Sequence, residues 1–317
     1  MKDRDQSSPV NDNTENGNGY HVPVLLKETV GSLQIRPEGS YVDCTFGGGG
    51  HSRAILQQLG PTGRLIAFDQ DADAAKNLPD DERVLFIPQN FRHIGRFLKL
   101  HKITAVDGIM ADLGVSSHQF DEAGRGFSTR FDAELDMRMD QRQGITAAQV
   151  LQQFSEQQLH KMLEQYGEVT NARTLARTIV EQRAVMQIRT INEFKQAIQA
   201  VVKGNPQKYF AQVFQALRIE VNEELTVLKE LLQQTPALLK PGGRLSIITF
   251  HSLEDRIVKH FFREGSFGET EPDDLYGRKN ESPFTVITKK PILPAAEEQK
   301  LNPRSRSAKL RVAEKKA

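Results

Sequence analysis

The chain has 317 residues, 38% hydrophobic and 26% charged, with a formal net charge of +1, which places it in the soluble globular class with material for one large domain or two ordinary ones. A lone cysteine, Cys44, excludes an intrachain disulfide and any cysteine-rich metal site, and suits a reducing cytosol. No apolar run approaches the roughly 18 residues of a membrane span, and the polar start predicts no signal peptide.

In chain order, residues 1–19 are rich in Asn, Asp, Ser and Gly and predict a disordered extension. A helical pattern follows through Val22–Leu26 and Val30–Leu33. Short apolar runs at Tyr41–Cys44, Arg64–Phe68, Val84–Ile87 and Val106–Ala111 predict buried strands. Between them, Ser52–Leu59, Ala72–Asn77 and Phe91–Leu100 predict helices. Such alternation predicts a parallel sheet with right-handed crossovers. After Asp112 the alternation breaks. A Gly- and Asp-rich stretch, Val115–Asp140, and several helical patterns pass before the next strand, Arg244–Phe250, which follows the turn Pro241-Gly242-Gly243. That interval is too long for a simple crossover and predicts an inserted all-helical subdomain. A helix at Leu253–Arg263 and strands at Phe284–Thr288 and Ala308–Val312 complete the pattern, the last two as an antiparallel hairpin closing a seven-stranded sheet. The expected division is 20–127 plus 213–317 for the α/β domain and 128–212 for the insert. Lys300–Ala317 holds seven Lys/Arg against one Glu; it reads as a phosphate-binding tail or as an edge strand protected by charge.

The strongest local signal is Tyr41-Val-Asp-Cys-Thr-Phe-Gly-Gly-Gly-Gly50-His51, between a strand and a helix, where the backbone turns sharply and lets a ligand approach. Asp69 ends the next strand, where a carboxylate can accept from ribose hydroxyls. A P-loop would need Gly-Lys-Ser/Thr after the last glycine, and here His51-Ser52 follows. A dinucleotide loop would need a glycine where Ser52 or Arg53 stands, which disfavours a nicotinamide oxidoreductase. S-adenosyl-L-methionine carries no phosphate and needs neither feature. Asp112 closes the fourth strand in Gly108-Ile-Met-Ala-Asp-Leu-Gly-Val-Ser-Ser117, at the edge where open α/β sheets bind ligands. It can serve the cofactor's methionyl amine, the substrate, or simply a helix N-cap.

Five motifs together carry a resemblance: His21-Val-Pro-Val-Leu-Leu, Thr45-Phe-Gly-Gly-Gly-Gly-His-Ser52, Ala111-Asp-Leu-Gly-Val-Ser-Ser117, Leu135-Asp-Met-Arg-Met-Asp140 and Thr249-Phe-His-Ser-Leu-Glu-Asp-Arg256. From His21 to Val312 the chain resembles the bacterial ribosomal RNA small subunit methyltransferase H family. The resemblance implies a Rossmann-like class I methyltransferase sheet with an inserted helical subdomain. It also implies methylation of the exocyclic N4 of a cytidine in the decoding region of 16S rRNA, with S-adenosyl-L-methionine as donor. The partner would be 16S rRNA within the small ribosomal subunit, in the cytoplasm. Family cofactor positions carry over to Gly49, Gly50, His51, Asp69, Phe91, Asp112 and Gln119. The chain departs from the family pattern at His118 and Phe120, at Ala133-Glu134 and at Val169, none of them a cofactor position. A class I methyltransferase acting on another RNA or a small molecule, and a non-catalytic RNA-binding module, are the alternative readings.

Methyl transfer is an in-line displacement in which positioning supplies much of the rate. The N4 lone pair of cytosine is delocalised, so a group that accepts a hydrogen bond from the amine as charge develops would assist. The candidates are Asp112, Asp136, Asp140 and His251. Asp136 and Asp140 would share one side of a helical turn with Arg138, or form a surface charge cluster. His251 follows a strand end, in a motif where Ser252 and Asp255 would supply an ordinary helix cap. The eight histidines show no ligand spacing, so no metal site is expected. The insert is the expected RNA reader, with Arg138 and the helical pair Arg173 and Arg177 as phosphate contacts or as a plain solvated face.

Overall fold

The computed structural model describes residues 23–267 and 281–317. The expected disordered extension, and His21 and Val22, lie outside these residues. Strands β1 (Ser40–Asp43), β2 (Arg64–Phe68), β3 (Val84–Ile87), β4 (Val106–Asp112), β5 (Leu239–Thr249), β6 (Phe284–Val286) and β7 (Lys309–Lys315) form one sheet in the order β3-β2-β1-β4-β5-β7-β6. The first five pair in parallel, and β7 runs antiparallel between β5 and β6. The sheet order reverses between β1 and β4, and the crevice over those strand ends is where open α/β sheets take ligands.

The central strands are apolar throughout because both faces are covered. Successive side chains point to opposite faces. Val42, Ile66, Phe68, Ile109 and Ala111 pack under α3 (Ile94–Leu100), α10 (Glu224–Leu238) and α11 (Ser252–Glu264). Tyr41, Leu65 and Met110 pack on the other face, under α1 (Leu26–Ser32) and α2 (Gly50–Leu56).

Between β4 and α10 lie α4 (Ser117–Asp121), α5 (Ala147–Gln153), α6 (Glu156–Gln165), α7 (Ala172–Arg183), α8 (Ile191–Ile198) and α9 (Pro206–Val221). Helices α5–α9 enclose a hydrophobic cluster of their own, from Phe127 and Leu135 through Leu163, Leu175 and Phe194 to Leu217. The boundary drawn at 212/213 falls inside α9. Val213, Phe214, Ala216 and Leu217 still face the helical cluster, because an amphipathic helix keeps one apolar stripe along its whole length.

Three further expectations change. Ala72–Asn77 is a 3₁₀ segment rather than an α-helix. Pro241-Gly242-Gly243 does not precede β5 but bulges within it: Val106 pairs with Leu239 and Gly108 with Arg244. Asp107 holds that bulge, accepting from Lys240 Nζ at 2.8 Å and from the Ser40 N–H at 2.9 Å. The basic C-terminus is neither a tail nor an edge. Strand β7 lies inside the sheet, and α12 (Ala296–Leu301) precedes it. Four of its seven basic residues are paired with acids elsewhere in the chain: Arg304 with Asp121, Lys309 and Arg311 with Asp255, the latter at 2.6 Å, and Lys316 with Glu281 at 3.3 Å.

Candidate active site

A cavity of about 610 Å³ opens over the carboxyl ends of β1, β2 and β4, within the range of small-molecule clefts. The loop after β1 forms one wall. Gly47 and Gly49 take positive φ values of 51° and 74°, a region open to glycine at no steric cost. A side chain on Gly48 would meet no heavy atom within 4 Å, whereas one on Gly50 would lie 2.1 Å from Pro23. Gly48 and Gly50 line the cavity, and Gly49 acts from behind as the residue that starts α2.

Asp69, at the end of β2, accepts from the Gly47 N–H at 2.7 Å and from the Asp71 N–H at 2.8 Å. Burial pushes its carboxyl up to about 6, against the pull of those two bonds. It lines the cavity, and a carboxylate has acceptor capacity beyond two bonds. Phe91 presents a half-buried ring after β3. Gln119 is fixed on α4 by the Ser116 capping box, and its Nε2 donates to Asp71 Oδ2 at 2.7 Å. The same Asp71 oxygen pairs with buried Arg125 at 2.9 Å, and Arg125 also donates to the carbonyls of Arg138 and Met139. Gln119, Asp71 and Arg125 therefore tie the cavity wall to the 136–140 loop.

Asp112 ends β4 inside the cavity. Its N–H donates to Thr45 Oγ1 at 2.7 Å, and its Oδ1 is buried without a hydrogen-bond partner. Burial, with the carboxylates of Asp43 and Glu254 nearby, raises its pKa well above the usual range. His51 is buried on α2, with Nε2 at 3.1 Å from the Val24 carbonyl and Nδ1 at 3.9 Å from Asp112 Oδ2. Asp43 accepts from Ser52 Oγ at 2.7 Å and from the Thr45 N–H at 3.0 Å.

The other proposed catalytic groups are placed differently. Residues Leu135–Asp140 make no helical turn, and Met137 has φ 60°. Asp136 is gripped by Arg138 at 2.8 Å and Asp140 by Arg142 at 2.8 Å, and neither carboxylate lines the cavity. His251 does not line it either. Its Nδ1 accepts from the Glu254 N–H at 3.4 Å as the N-cap of α11, so the cap is His251 with Glu254 rather than Ser252 with Asp255. His251 Nε2 lies 3.3 Å from Glu254 Oε1, within ion-pair range but outside hydrogen-bond geometry. Asp255 instead holds Arg311. Arg173 and Arg177 are exposed on α7, remote in sequence from any lining residue, and Arg177 pairs with Glu181 at 2.7 Å.

Sequence reasoning missed Glu224, Glu254, Asn222, Asn302 and Arg304, all of which line the cavity. Burial alone would raise Glu254, but His251, the Phe250 N–H and Arg218 together bring it below its usual value. Ligating atoms of Glu224, His251 and Glu254 lie within 4.8 Å of one another. Arg218 already grips both Glu224 oxygens, at 2.8 and 3.0 Å, and supplies positive charge there. Arg304 closes the mouth, stacking over Phe120 at 4.7 Å and pairing with Asp121 at 3.1 Å.

The sheet order, the glycine loop after β1 and the acid ending β2 define a class I methyltransferase, whose methyl donor is S-adenosyl-L-methionine. The chain belongs to the MraW methylase family, whose model matches residues 18–316. It is 56% identical over 298 residues to the ribosomal RNA small subunit methyltransferase H of Flavobacterium johnsoniae, covering 93% of this chain and 98% of that one. To the protein of that name from Bacteroides fragilis it is 52% identical, with 94% and 98% covered. A solved rRNA methylase from Streptococcus thermophilus overlays with a TM-score of 0.40 and 11% identity, covering 94% of this chain and 100% of that one. That likeness is too loose to bear on the site. The residues present fit the donor: an uncharged glycine wall with open space at Gly48, a carboxylate at a strand end, and a cavity-lining Asp112 with an unpartnered buried oxygen suited to a cationic ligand. Among the described residues no helix is long and apolar enough to cross a membrane.

Proposed function

We propose that this protein methylates small-subunit ribosomal RNA in the cytoplasm, at the exocyclic N4 of a cytidine in the decoding region of 16S rRNA. The observation that carries the reading is a cavity that couples an adenosine-type cofactor wall to a half-buried carboxylate, Asp112, whose Oδ1 is buried and unpartnered, in a chain more than half identical to proteins named for this RNA. Asp69 would hold the ribose hydroxyls, Phe91 would cover the adenine face, and Gln119, held by Asp71, would close the cavity wall beside them. The glycine loop lets the backbone approach the methionyl part, with Gly49 and Gly50 setting its turn.

The bound donor supplies an activated methyl group; the protein's part is to orient the amine and take up its proton. Asp112 would hold the methionyl ammonium and the attacking amine, since its Oδ1 has no competing partner. Residues 127–217, enclosing the helical cluster, would form the RNA reader, with Arg173 and Arg177 meeting phosphates from α7. The charged pairs Asp136–Arg138 and Asp140–Arg142 would shape the rim rather than the chemistry, Arg142 reaching the Gln70 and Pro88 carbonyls.

The test is mass spectrometry of 16S rRNA from cells with and without the gene, paired with methylation of that RNA by the purified protein. A decoding-region cytidine that loses one N4 methyl in the deletion, and regains it in vitro, is the expected result. An unchanged modification map would overturn the assignment. Methylation of a different RNA would favour the alternative class I reading.

A further inference from the structure

His51 and Asp112 meet in a way that cofactor binding alone does not require. The Val24 carbonyl can only accept a hydrogen bond, so the 3.1 Å contact places hydrogen on Nε2 of His51. A neutral imidazole then turns its Nδ1 lone pair toward Asp112 Oδ2, 3.9 Å away. A lone pair facing an ionised carboxylate in a buried setting is repulsive, and one proton between them removes the repulsion. The groups packed around the pair are Asp43 at the end of β1 and Glu254 on α11, with His251, Glu224 and Arg218 beyond Glu254. Both nearest neighbours are carboxylates, which favour the proton-loaded pair. In accord with this, burial and those carboxylates raise the pKa of Asp112, while burial lowers that of His51 despite Asp43.

We propose that His51 and Asp112 form a paired proton acceptor, emptied when the cationic donor binds and refilled by the proton that the substrate amine loses. The idea rests on the amine-methylating reading above. The donor and its thioether product both bring the methionyl ammonium to Asp112, and the further charge of the sulfonium favours the ionised carboxylate more strongly and completes the loss of the proton. As the amine lone pair forms the N–C bond, the C–S bond breaks and its electrons stay on sulfur. One N–H bond then breaks, its electrons return to nitrogen, and the proton moves to Asp112, held against Nδ1 of His51. No further reactant is needed.

The test is calorimetric binding of S-adenosylmethionine and of S-adenosylhomocysteine to the full chain, in two buffers of different ionisation enthalpy. A pH of about 6.5 lies below the α-amino range of roughly 7.7–8.0. The sulfonium compound should release about half a proton or more beyond the thioether. Asp112→Asn should abolish that difference, and His51→Gln, which can still donate to the Val24 carbonyl, should shrink it. Retained thioether binding shows that each variant is folded. In single-turnover methylation, His51→Gln should also move the acidic limb of the pH–rate profile by about a unit. Equal proton counts for the two compounds in the unmodified protein would overturn the pairing, even if the RNA is methylated as proposed. A clear proton difference in a protein that leaves cytidine untouched would keep the pair and sink the substrate reading instead.

Discussion

Asp69 gives the sharpest handle on cofactor binding. Its two oxygens hold the Gly47 and Asp71 amides at 2.7 and 2.8 Å, so one side chain shapes the glycine loop and also faces the cavity. With its carboxyl pushed up to about 6 by burial, the group changes charge within an accessible range. Ribose hydroxyls donate best to the ionised form, so affinity for S-adenosylhomocysteine should be level above pH 7. It should fall about tenfold by pH 5, one unit below that value. Asp69→Asn offers one of the two amides a donor in place of an acceptor. A lost hydrogen bond to a charged group is worth about 1.5–3 kcal/mol, or ten- to hundredfold in affinity. The variant's binding should be weak and nearly independent of pH between 5 and 7.5. The ligand-free protein carries the opposite sign. A folded value above the roughly 3.9 of an unfolded Asp means stability is greatest below pH 4 and declines through pH 6, by on the order of 2–3 kcal/mol from this group. Calorimetry across that pH range reads the binding, and denaturant melts read the stability. A wild-type affinity that stays flat from pH 5 to 7.5, or an Asn variant that binds within twofold of wild type, would refute this account of Asp69.

Three other outcomes follow from contacts already described. His251→Ala removes the cap of α11 and leaves Glu254 buried beside one fewer partner, so thermal or denaturant melts should show a loss of about 2–4 kcal/mol. The single-turnover rate at saturation should stay within a few-fold, and a nearly dead but stable enzyme would return His251 to the chemistry. Gly50→Ala drives a methyl into Pro23 and should destabilise by about 1–3 kcal/mol, whereas Gly48→Ala meets open space and should leave the melting curve unchanged while weakening cofactor binding; equal melting losses would contradict this. Replacing both Arg173 and Arg177 with Glu should weaken RNA binding at least tenfold and flatten its salt dependence, with cofactor affinity intact; filter binding at several salt concentrations reads it.

Every strand was legible in the sequence because apolar runs of four to seven residues, bounded by Gly, Pro and Asp, have few other destinations in a chain this polar. What the pattern could not give was where elements stop. The turn signal of Pro241-Gly242-Gly243 is real, yet Asp107 binds Lys240 across the bulge and keeps those residues in β5. The basic run after Lys300 reads as a phosphate-binding tail or a charged edge strand because sequence shows charges without their partners. Asp255 and Glu281, both distant along the chain, hold three of its cations, Lys309, Arg311 and Lys316. Likewise, no periodicity ends at position 213, since α9 serves the helical cluster until it turns at Asn222, where Asn222 accepts from the Met139 N–H at 2.7 Å.

The site was legible to a different degree, and for a physical reason. Residues at the ends of β1, β2 and β4 enter the cavity because strand ends at a switch point have nowhere else to face, so position along the chain predicted Asp69 and Asp112 without knowledge of side-chain direction. The segment after β5 obeys a different constraint. There the first turn of α11 must satisfy its free amides, and His251 and Glu254 share that task as a reciprocal cap. Glu254 accepts from the Phe250 N–H at 2.8 Å and still lines the cavity, while His251 is drawn behind it as the cap. A sequence shows the pair His251-Ser-Leu-Glu254 but not that both members cap the helix while only Glu254 also reaches the cavity. The capping acid that also reaches the cavity at this edge is therefore Glu254, and the cavity is lined by two carboxylates whose surroundings drive them apart: Asp112 raised by burial, Glu254 lowered by its imidazole and amide neighbours despite burial.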